Sequence, residues 1–400
     1  MLPKKLFLIA GEASGDFHAA HLVRTLKQLN PNLICRGLGG SLMAQEGVEL
    51  VYDLTKIAVL GLGDVLRKYF LFRSIFSTAL RDVQSFKPDA IILIDYPGFN
   101  LRFAKKINKR FPVIYYISPQ IWAWGKQRIR TIRRTVDHMI VFFKFETDLY
   151  RTAGVPVTWV GHPLADLLEP SKSRSELQAE WLTKASSDET KAIALLPGSR
   201  ETEVKRILPE MLHVAKSIHT RTPNVRFLLS QSNTLSPELY EQILAKAKPA
   251  YPIQSIRNRT YDVLCASDFA MVSSGTATLE ATLASIPFVI LYKTAWSTFF
   301  LGRRLIRIPY IGLVNVVAGR KIVPEFIQHE IHTETIAQEA AYLLEHQDLR
   351  EKMILDLKAV QAKLGAPGAV RRAAEAVYGL LYCTPTQINF QDQISKSKSN

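Results

Sequence analysis

Three short runs in this chain have residue types and spacing suited to chemistry. The first is Ser273-Ser274-Gly275-Thr276-Ala277-Thr278-Leu279-Glu280, which follows the apolar stretch Asp268-Phe-Ala-Met-Val272 and opens a helical pattern ending near Ser285. It reads as strand, turn and helix N-terminus, where free backbone N–H groups and the positive end of the helix dipole attract an anion. Gly275 removes the side chain that would hold a phosphate away, and Glu280 lies one turn on, within reach of a sugar hydroxyl. On this stretch alone, Ser-Gly-Thr as a plain helix cap explains the pattern equally well. The second run is Pro197-Gly198-Ser199-Arg200 at the end of an apolar strand over 191–196. An arginine beside a glycine turn suits a phosphate, because its planar fork gives two parallel hydrogen bonds. The third is Asp95, at the carboxyl end of the apolar run 89–94. It is placed either to take a proton or to cap the helix that starts near Leu101.

These residues need elements to position them. In the first half, a strand over 6–10 meets the tight turn Gly11-Glu12-Ala13-Ser14-Gly15-Asp16 and a helix over 17–29. The glycines are four apart, so the dinucleotide spacing G-x-G-x-x-G is absent. Strands over 34–38, 89–94 and 113–117 follow, alternating with helices, which implies a parallel sheet covered on both faces. In such sheets ligands bind beyond the carboxyl ends of the strands, where Gly11 to Asp16, Asp95 and Ser118-Pro119 converge. The run Ser118-Pro-Gln-Ile-Trp122-Ala-Trp124-Gly125 adds two tryptophans, either site-lining or core, ahead of a basic helix over 126–134. A polar connector after Asp166 puts a boundary near 165. The second α/β series has strands over 191–196, 227–230, 253–256 and 287–291, and helices over 261–266, 334–345, 349–364 and 366–382. The expected organisation is a first domain over 1–165, a second over 166–383, and a polar, disordered tail over 384–400.

Composition sets the outer bounds. With 400 residues, 47% hydrophobic and 22% charged, the chain is long enough for two domains, each with its own core. Cys35, Cys265 and Cys383 are far apart and lack metal-ligand spacing, which fits a reducing compartment. Lys4-Lys5 before Leu6 to Ala10 imitates a signal peptide, but the apolar run is too short, and a cytoplasmic protein is expected. No apolar segment reaches the roughly 20 residues of a spanning helix. The net charge of +15 calls for an acidic partner: nucleic acid, anionic lipid or a phosphorylated substrate. The basic residues border apolar runs, and no RNA- or DNA-binding signature appears, so nucleic acid is set aside. Residues 57–80 mix Leu, Phe and Ile with Arg67, Lys68 and Arg73; this is either a doubly packed core helix or a face for acyl chains and a membrane. The mixed aromatic and basic stretch 291–321 is the second expected membrane-facing patch. Monomer and homodimer both remain open.

Taken in order, Gly11-Glu-Ala-Ser-Gly-Asp16, Ile94-Asp95 before Pro97, Ser118-Pro with Trp122-Ala-Trp124, Gly161-His-Pro163, Leu195-Leu-Pro-Gly-Ser-Arg200, Ser274-Gly-Thr-Ala-Thr-Leu-Glu280 and Ala318-Gly-Arg320 resemble the lipid-A-disaccharide synthase family. The resemblance runs from residue 6 to about 380. It implies two Rossmann-like domains facing a cleft, the GT-B type, with the last helix returning to the first domain. It also implies an inverting, metal-free and cofactor-free transfer from UDP-2,3-diacylglucosamine to the 6-hydroxyl of 2,3-diacylglucosamine 1-phosphate, on the inner face of the cytoplasmic membrane. Asp95 matches the family's proposed general base. Ser199, Arg200, Ser274, Gly275 and Thr276 match donor diphosphate contacts, Glu280 a ribose-binding acid, and Asn315 the family's functional asparagine. Gly11, Glu12, Ser14, Gly15, Asp16, Ser118 and Trp122 fall on the acceptor side. Two departures stand out: Gly98 replaces a second acid, and Val314 replaces a proline, which implies a looser loop around Asn315. The rival reading is another UDP-sugar enzyme of the same architecture, either a 2-epimerase or an N-acetylglucosaminyltransferase acting on a different lipid.

Overall fold

The computed structural model of the chain describes residues 3–55, 65–182, 190–296, 299, 304 and 308–382. The chain divides into two compact units, Met1–Asp166 with Gly365–Asn400, and Leu167–Leu364. The expectations placed on 57–64 and on the tail 384–400 lie outside the described residues.

In the first unit the strands are β1 (Lys5–Ala10), β2 (Ile34–Gly39), β3 (Val48–Asp53), β4 (Ala90–Ile94), β5 (Val113–Tyr116), β6 (His138–Val141) and β7 (Val157–Trp159). Among the described residues they form one sheet in the order β3-β2-β1-β4-β5-β6-β7, and every neighbouring pair is parallel. β4 reads Ala-Ile-Ile-Leu-Ile and is buried throughout, as a strand covered on both faces must be. The helix Val65–Phe86 settles part of the question raised by its apolar stretch. Ile75, Ala79 and Val83 are buried in the core, and the Phe76 ring meets Phe99 and Phe103 edge-on. Phe70, on the same helix, is 64% exposed.

The second unit repeats the plan with β8 (Lys191–Leu196), β9 (Val225–Gln231), β10 (Ile253–Arg257), β11 (Phe269–Ser273), β12 (Phe288–Tyr292) and β13 (Glu325–Ile327), in the parallel order β10-β9-β8-β11-β12-β13 among the described residues. In both sheets the winding direction reverses at one central pair, β1 with β4 and β8 with β11. Connections leave those pairs in opposite directions, so a crevice opens beyond their carboxyl ends.

The helix Ala369–Tyr382 packs on the helix Ala13–Leu29 of the first unit. Its buried face, Ala369, Val370, Ala373, Ala374, Ala376 and Val377, is built of small residues that let two helices approach closely. Asp166 fastens its start: the carboxylate accepts the Gly368 N–H and, at 3.0 Å, the Val370 N–H. Arg372 Nε donates to Val160 O at 2.8 Å alongside. Asp166→Ala strands two helix-terminal donors, and we expect a loss of about 1–2 kcal/mol, read as a lower midpoint in thermal or urea denaturation. An unchanged midpoint would show that the cap contributes nothing.

Candidate active site

The strand register sets the first half of the site. Ala10 pairs with Ile94, so Gly11 and Asp95 leave β1 and β4 level with each other. Gly11 is glycine for lack of room: a Cβ there would lie 2.1 Å from the Tyr96 ring. Asp95 and Tyr96 are consecutive left-handed residues, each with φ of 45°, a conformation that costs a non-glycine residue roughly 1–2 kcal/mol. The Asp95 carbonyl accepts hydrogen bonds from Asn100 Nδ2 at 2.8 Å and Tyr115 Oη at 2.6 Å. The helix that follows is Pro97–Ile107, and the side chain of its cap residue, Tyr96, makes no cap hydrogen bond. The half-buried Asp95 stands at the carboxyl end of β4, one residue before that cap. A Cβ at Gly98 would meet nothing within 4 Å, so the lost second acid leaves open space.

Around the neighbouring turn, Glu12 is half-buried, Ser14 is exposed, and Gly15 packs on Ala10 and Ile94. Asp16 is different. It is 3% exposed and accepts N–H groups from Gly40 at 2.8 Å and from Leu42 and Met43 at 3.1 Å. Its carboxylate is spent on a second turn. Ser118 is also buried, with Oγ 2.7 Å from the Tyr150 hydroxyl. Trp122 is half-buried and donates from Nε1 to Glu146 Oε1 at 3.0 Å, whereas Trp124 is 42% exposed beneath the Arg128 guanidinium. Sequence reasoning missed Glu146, which is 2% exposed. Burial raises its pKa to about 7 against the lowering effect of hydrogen bonds from Ser118, Trp122 and the Phe143 N–H. The signal was there: an acid three residues after Phe143, at a helix N-terminus. His18 and His162 pack on Phe142, and burial lowers them to about 4 and about 3, so both imidazoles are neutral near pH 7.

In the second unit Leu196 pairs with Val272, which brings the turns after β8 and β11 together. Ser199 and Arg200 are exposed, and both of their backbone N–H groups point at Glu203 Oε2, at 3.3 and 3.4 Å, while Arg200 Nη1 meets Glu203 Oε1 at 3.1 Å. The turn thus already binds one carboxylate through the groups that would bind a phosphate. Glu203 went unremarked in the sequence, although Arg200-x-x-Glu203 has capping-box spacing. Gly275 has φ of +147°, and a Cβ there would meet nothing within 4 Å, so the face of the Ser274-Gly275-Thr276 turn is open. The helix beyond it, Ala277–Leu283, is only seven residues long, so its dipole adds little. Glu280 is half-buried, no described residue hydrogen-bonds its carboxyl, and burial raises its pKa to about 7.

Asn315 belongs to the segment behind this turn. It is fully buried, and all four of its hydrogen-bonding positions are occupied: Nδ2 donates to Val323 O at 2.8 Å and Glu325 Oε1 at 2.7 Å, while Oδ1 accepts from Ile322 N at 2.8 Å and Val323 N at 3.0 Å. Glu325 in turn accepts Ile311 N at 2.9 Å and Gly312 N at 3.0 Å. Ser274 Oγ touches this same segment through Ile311 O at 3.4 Å. The Asn315 side chain is therefore a clasp behind the turn. The clasp also supplies the rigidity that Val314 in place of proline was expected to remove. Among the described residues no group of three His, Cys, Asp or Glu is arranged to hold a metal ion.

Glu146 gives a pH test with a definite sign. A carboxyl whose pKa is higher in the folded than in the unfolded state favours folding fully below the unfolded value, near 4.5, and that advantage is lost as pH rises through about 7. Glu146→Gln keeps the shape and an acceptor for Trp122 but cannot ionise. We expect the parent to lose up to about 3 kcal/mol relative to this variant between pH 4.5 and 7, measured as diverging unfolding midpoints. Parallel curves would place the titration elsewhere.

A sequence profile described as Lipid-A-disaccharide synthetase matches residues 6–377. The chain is 42% identical over 375 residues to the lipid-A-disaccharide synthase of Syntrophus aciditrophicus, covering 94% of this chain and 97% of that protein. It is 40% identical over 384 residues to the enzyme of the same name from Coxiella burnetii strain Dugway, covering 96% and 100%. Among solved structures, UDP-GlcNAc 2-epimerase from Neisseria meningitidis superposes with a TM-score of 0.64 at 15% identity, covering 94% of this chain and 99% of that one. MurG of Acinetobacter baumannii gives 0.58 at 14%, covering 94% and 99%. At those identities the structures speak for the fold alone, which is two Rossmann-like units of the GT-B type. On the profile and the sequence identities, the chain belongs to the lipid-A-disaccharide synthase family.

Proposed function

We propose that the family reaction is carried out here with Asp95 as general base and the two turns of the second unit as the donor diphosphate site. The chain is a hexosyltransferase that joins UDP-2,3-diacylglucosamine to 2,3-diacylglucosamine 1-phosphate. The acceptor 6-hydroxyl oxygen bonds to the anomeric carbon as the bond from that carbon to UDP breaks. The hydroxyl proton passes to the base, and UDP leaves with the electron pair. Inversion by single displacement requires the acceptor to approach from the face opposite UDP, so the base comes from a different element than the diphosphate turns. The observation that carries the assignment is Asp95: a half-buried carboxylate at the winding reversal of the first sheet, on a backbone held in the left-handed region.

On this reading Arg200, Ser199 and the Ser274-Gly275-Thr276 turn bind the diphosphate, and UDP displaces the Glu203 carboxylate from the amides it now occupies. Glu280, with a pKa near 7, meets the ribose hydroxyls as donor or acceptor. The first unit, with Gly11, Glu12 and Ser14 at its strand edge, takes the acceptor. Among the described residues no helix is long and apolar enough to cross a membrane. The acylated substrates nevertheless bring the enzyme to an anionic bilayer, at the inner face of the cytoplasmic membrane. Exposed Phe70, Trp296 and Arg304 are the described parts of the surface that would meet it.

The direct assay is incubation with both acylated substrates and detection of the disaccharide 1-phosphate by mass spectrometry. Asp95→Asn keeps the shape but cannot take the proton. Turnover is expected to fall by about 10²- to 10⁴-fold while UDP affinity persists, and near-parent turnover would remove Asp95 from the chemistry. For the membrane, each basic residue near an anionic surface contributes on the order of 1 kcal/mol, screened by salt. Replacing Arg303, Arg304 and Arg307 by Ser should weaken co-sedimentation with anionic vesicles at low salt. Unaltered sedimentation would reject that patch.

A further inference from the structure

We propose that Tyr115 and Asn100 are positioning residues for the reaction: they hold the Asp95 peptide in its left-handed conformation and thereby fix where its carboxylate points. The inference rests on the reading of Asp95 as the base.

The Asp95 peptide is fastened at both ends. Its N–H donates to Tyr116 O at 3.0 Å, and its carbonyl takes two donors, Asn100 Nδ2 at 2.8 Å and Tyr115 Oη at 2.6 Å. Asn100 Nδ2 also reaches Ile94 O at 3.1 Å and Ile9 O at 3.4 Å, so one amide group joins the ends of β1 and β4 to the residue that follows them. Both side chains are fully buried. Two adjacent non-glycine residues in the left-handed region persist only where the surroundings over-determine them. With φ fixed at Asp95 and its flanking peptide bonds held, the direction of its Cβ is fixed as well.

Asn100 ties the ends of β1 and β4 together, and the same amide also holds the Asp95 carbonyl. Its Oδ1 is buried and has no hydrogen-bond partner among the described residues. Rotating the amide would aim Oδ1 at three carbonyls, so the orientation with Nδ2 as the donor is fixed. A buried acceptor without a partner is costly, and the Nδ2 bonds to the Asp95, Ile94 and Ile9 carbonyls offset that cost. What Asn100 supplies in return is the hold on Asp95. Tyr115 is a milder case: burial raises its pKa well above that of a free tyrosine, so its hydroxyl remains a donor throughout the working pH range.

The test is Tyr115→Phe, which removes a hydroxyl and nothing else from the core. We expect kcat to fall roughly three- to tenfold, the value of one hydrogen bond, with UDP affinity at the parent level. In an Asp95→Asn background the same change should have no effect on the residual rate, because there is no base left to aim. Asn100→Ser, the harsher variant, should lower kcat further. Three results would overturn the proposal: parent kcat in Tyr115→Phe, an equal fall in both backgrounds, or a fall in melting temperature with kcat untouched. Failure of the base reading looks different, since Asp95→Asn itself would then retain turnover.

Discussion

Each half of this protein depends on one constraint of the doubly wound sheet: connections between parallel strands are right-handed, so winding outward in both directions forces a reversal at one central strand pair. At that pair the following turns diverge, and backbone that would otherwise be buried is left facing a crevice. Here the pairs are β1 with β4 and β8 with β11. Every candidate group with a plausible chemical role stands within a few residues of one of those four strand ends. Other polar side chains near these ends, Asp16 and Asn315 among them, hold turns together.

Carboxylates do much of that holding, by a repeated device. Asp89 precedes β4 and accepts the N–H of Lys5, the first residue of β1, at 2.8 Å. Asp137 does the same for Val113 at the start of β5, and Asp268 for Ala192 beside the start of β8, both at 2.8 Å. In each case an acid just outside one strand closes the ladder of its neighbour, where a free N–H would otherwise be lost to burial. Asp16, Asp166, Glu203 and Glu325 apply the same chemistry to turns and helix starts. The Glu203 case matters most, because there a structural carboxylate and a substrate anion would compete for the same donors.

Much of this was legible in the sequence where apolar runs are long and end in glycine. β1, β8 and β11 announce themselves in that way, and so do the turns that follow them, whereas β4 is equally apolar but runs into Asp95 and Tyr96. Short edge strands do not. β7 has three residues, all half-buried, and β3 alternates too weakly to stand out from a loop. β6 contains a histidine that hydrogen-bonds Thr158 on the next strand, a pairing no local pattern reveals. Side-chain partners are hidden for a related reason. Asn315 is a conspicuous polar residue near a glycine turn, and only the positions of Val323 and Glu325 show that its amide is already occupied. Glu146 and Glu325 were overlooked because a buried acid looks like a surface acid until its partners are known.

The return of the last helix to the first unit bears on how the protein is made. Residues 167–364 form a unit continuous in sequence, so on the ribosome it can complete its contacts as soon as it has emerged. The first unit emerges earlier but lacks the helix that covers Ala13–Leu29. The bond from Val370 to Asp166 closes across 204 residues, and it cannot form until the whole second unit has been made. During that interval the uncovered helix is the surface most in need of protection from aggregation, and a truncation that removes only the final helix would leave it exposed for good.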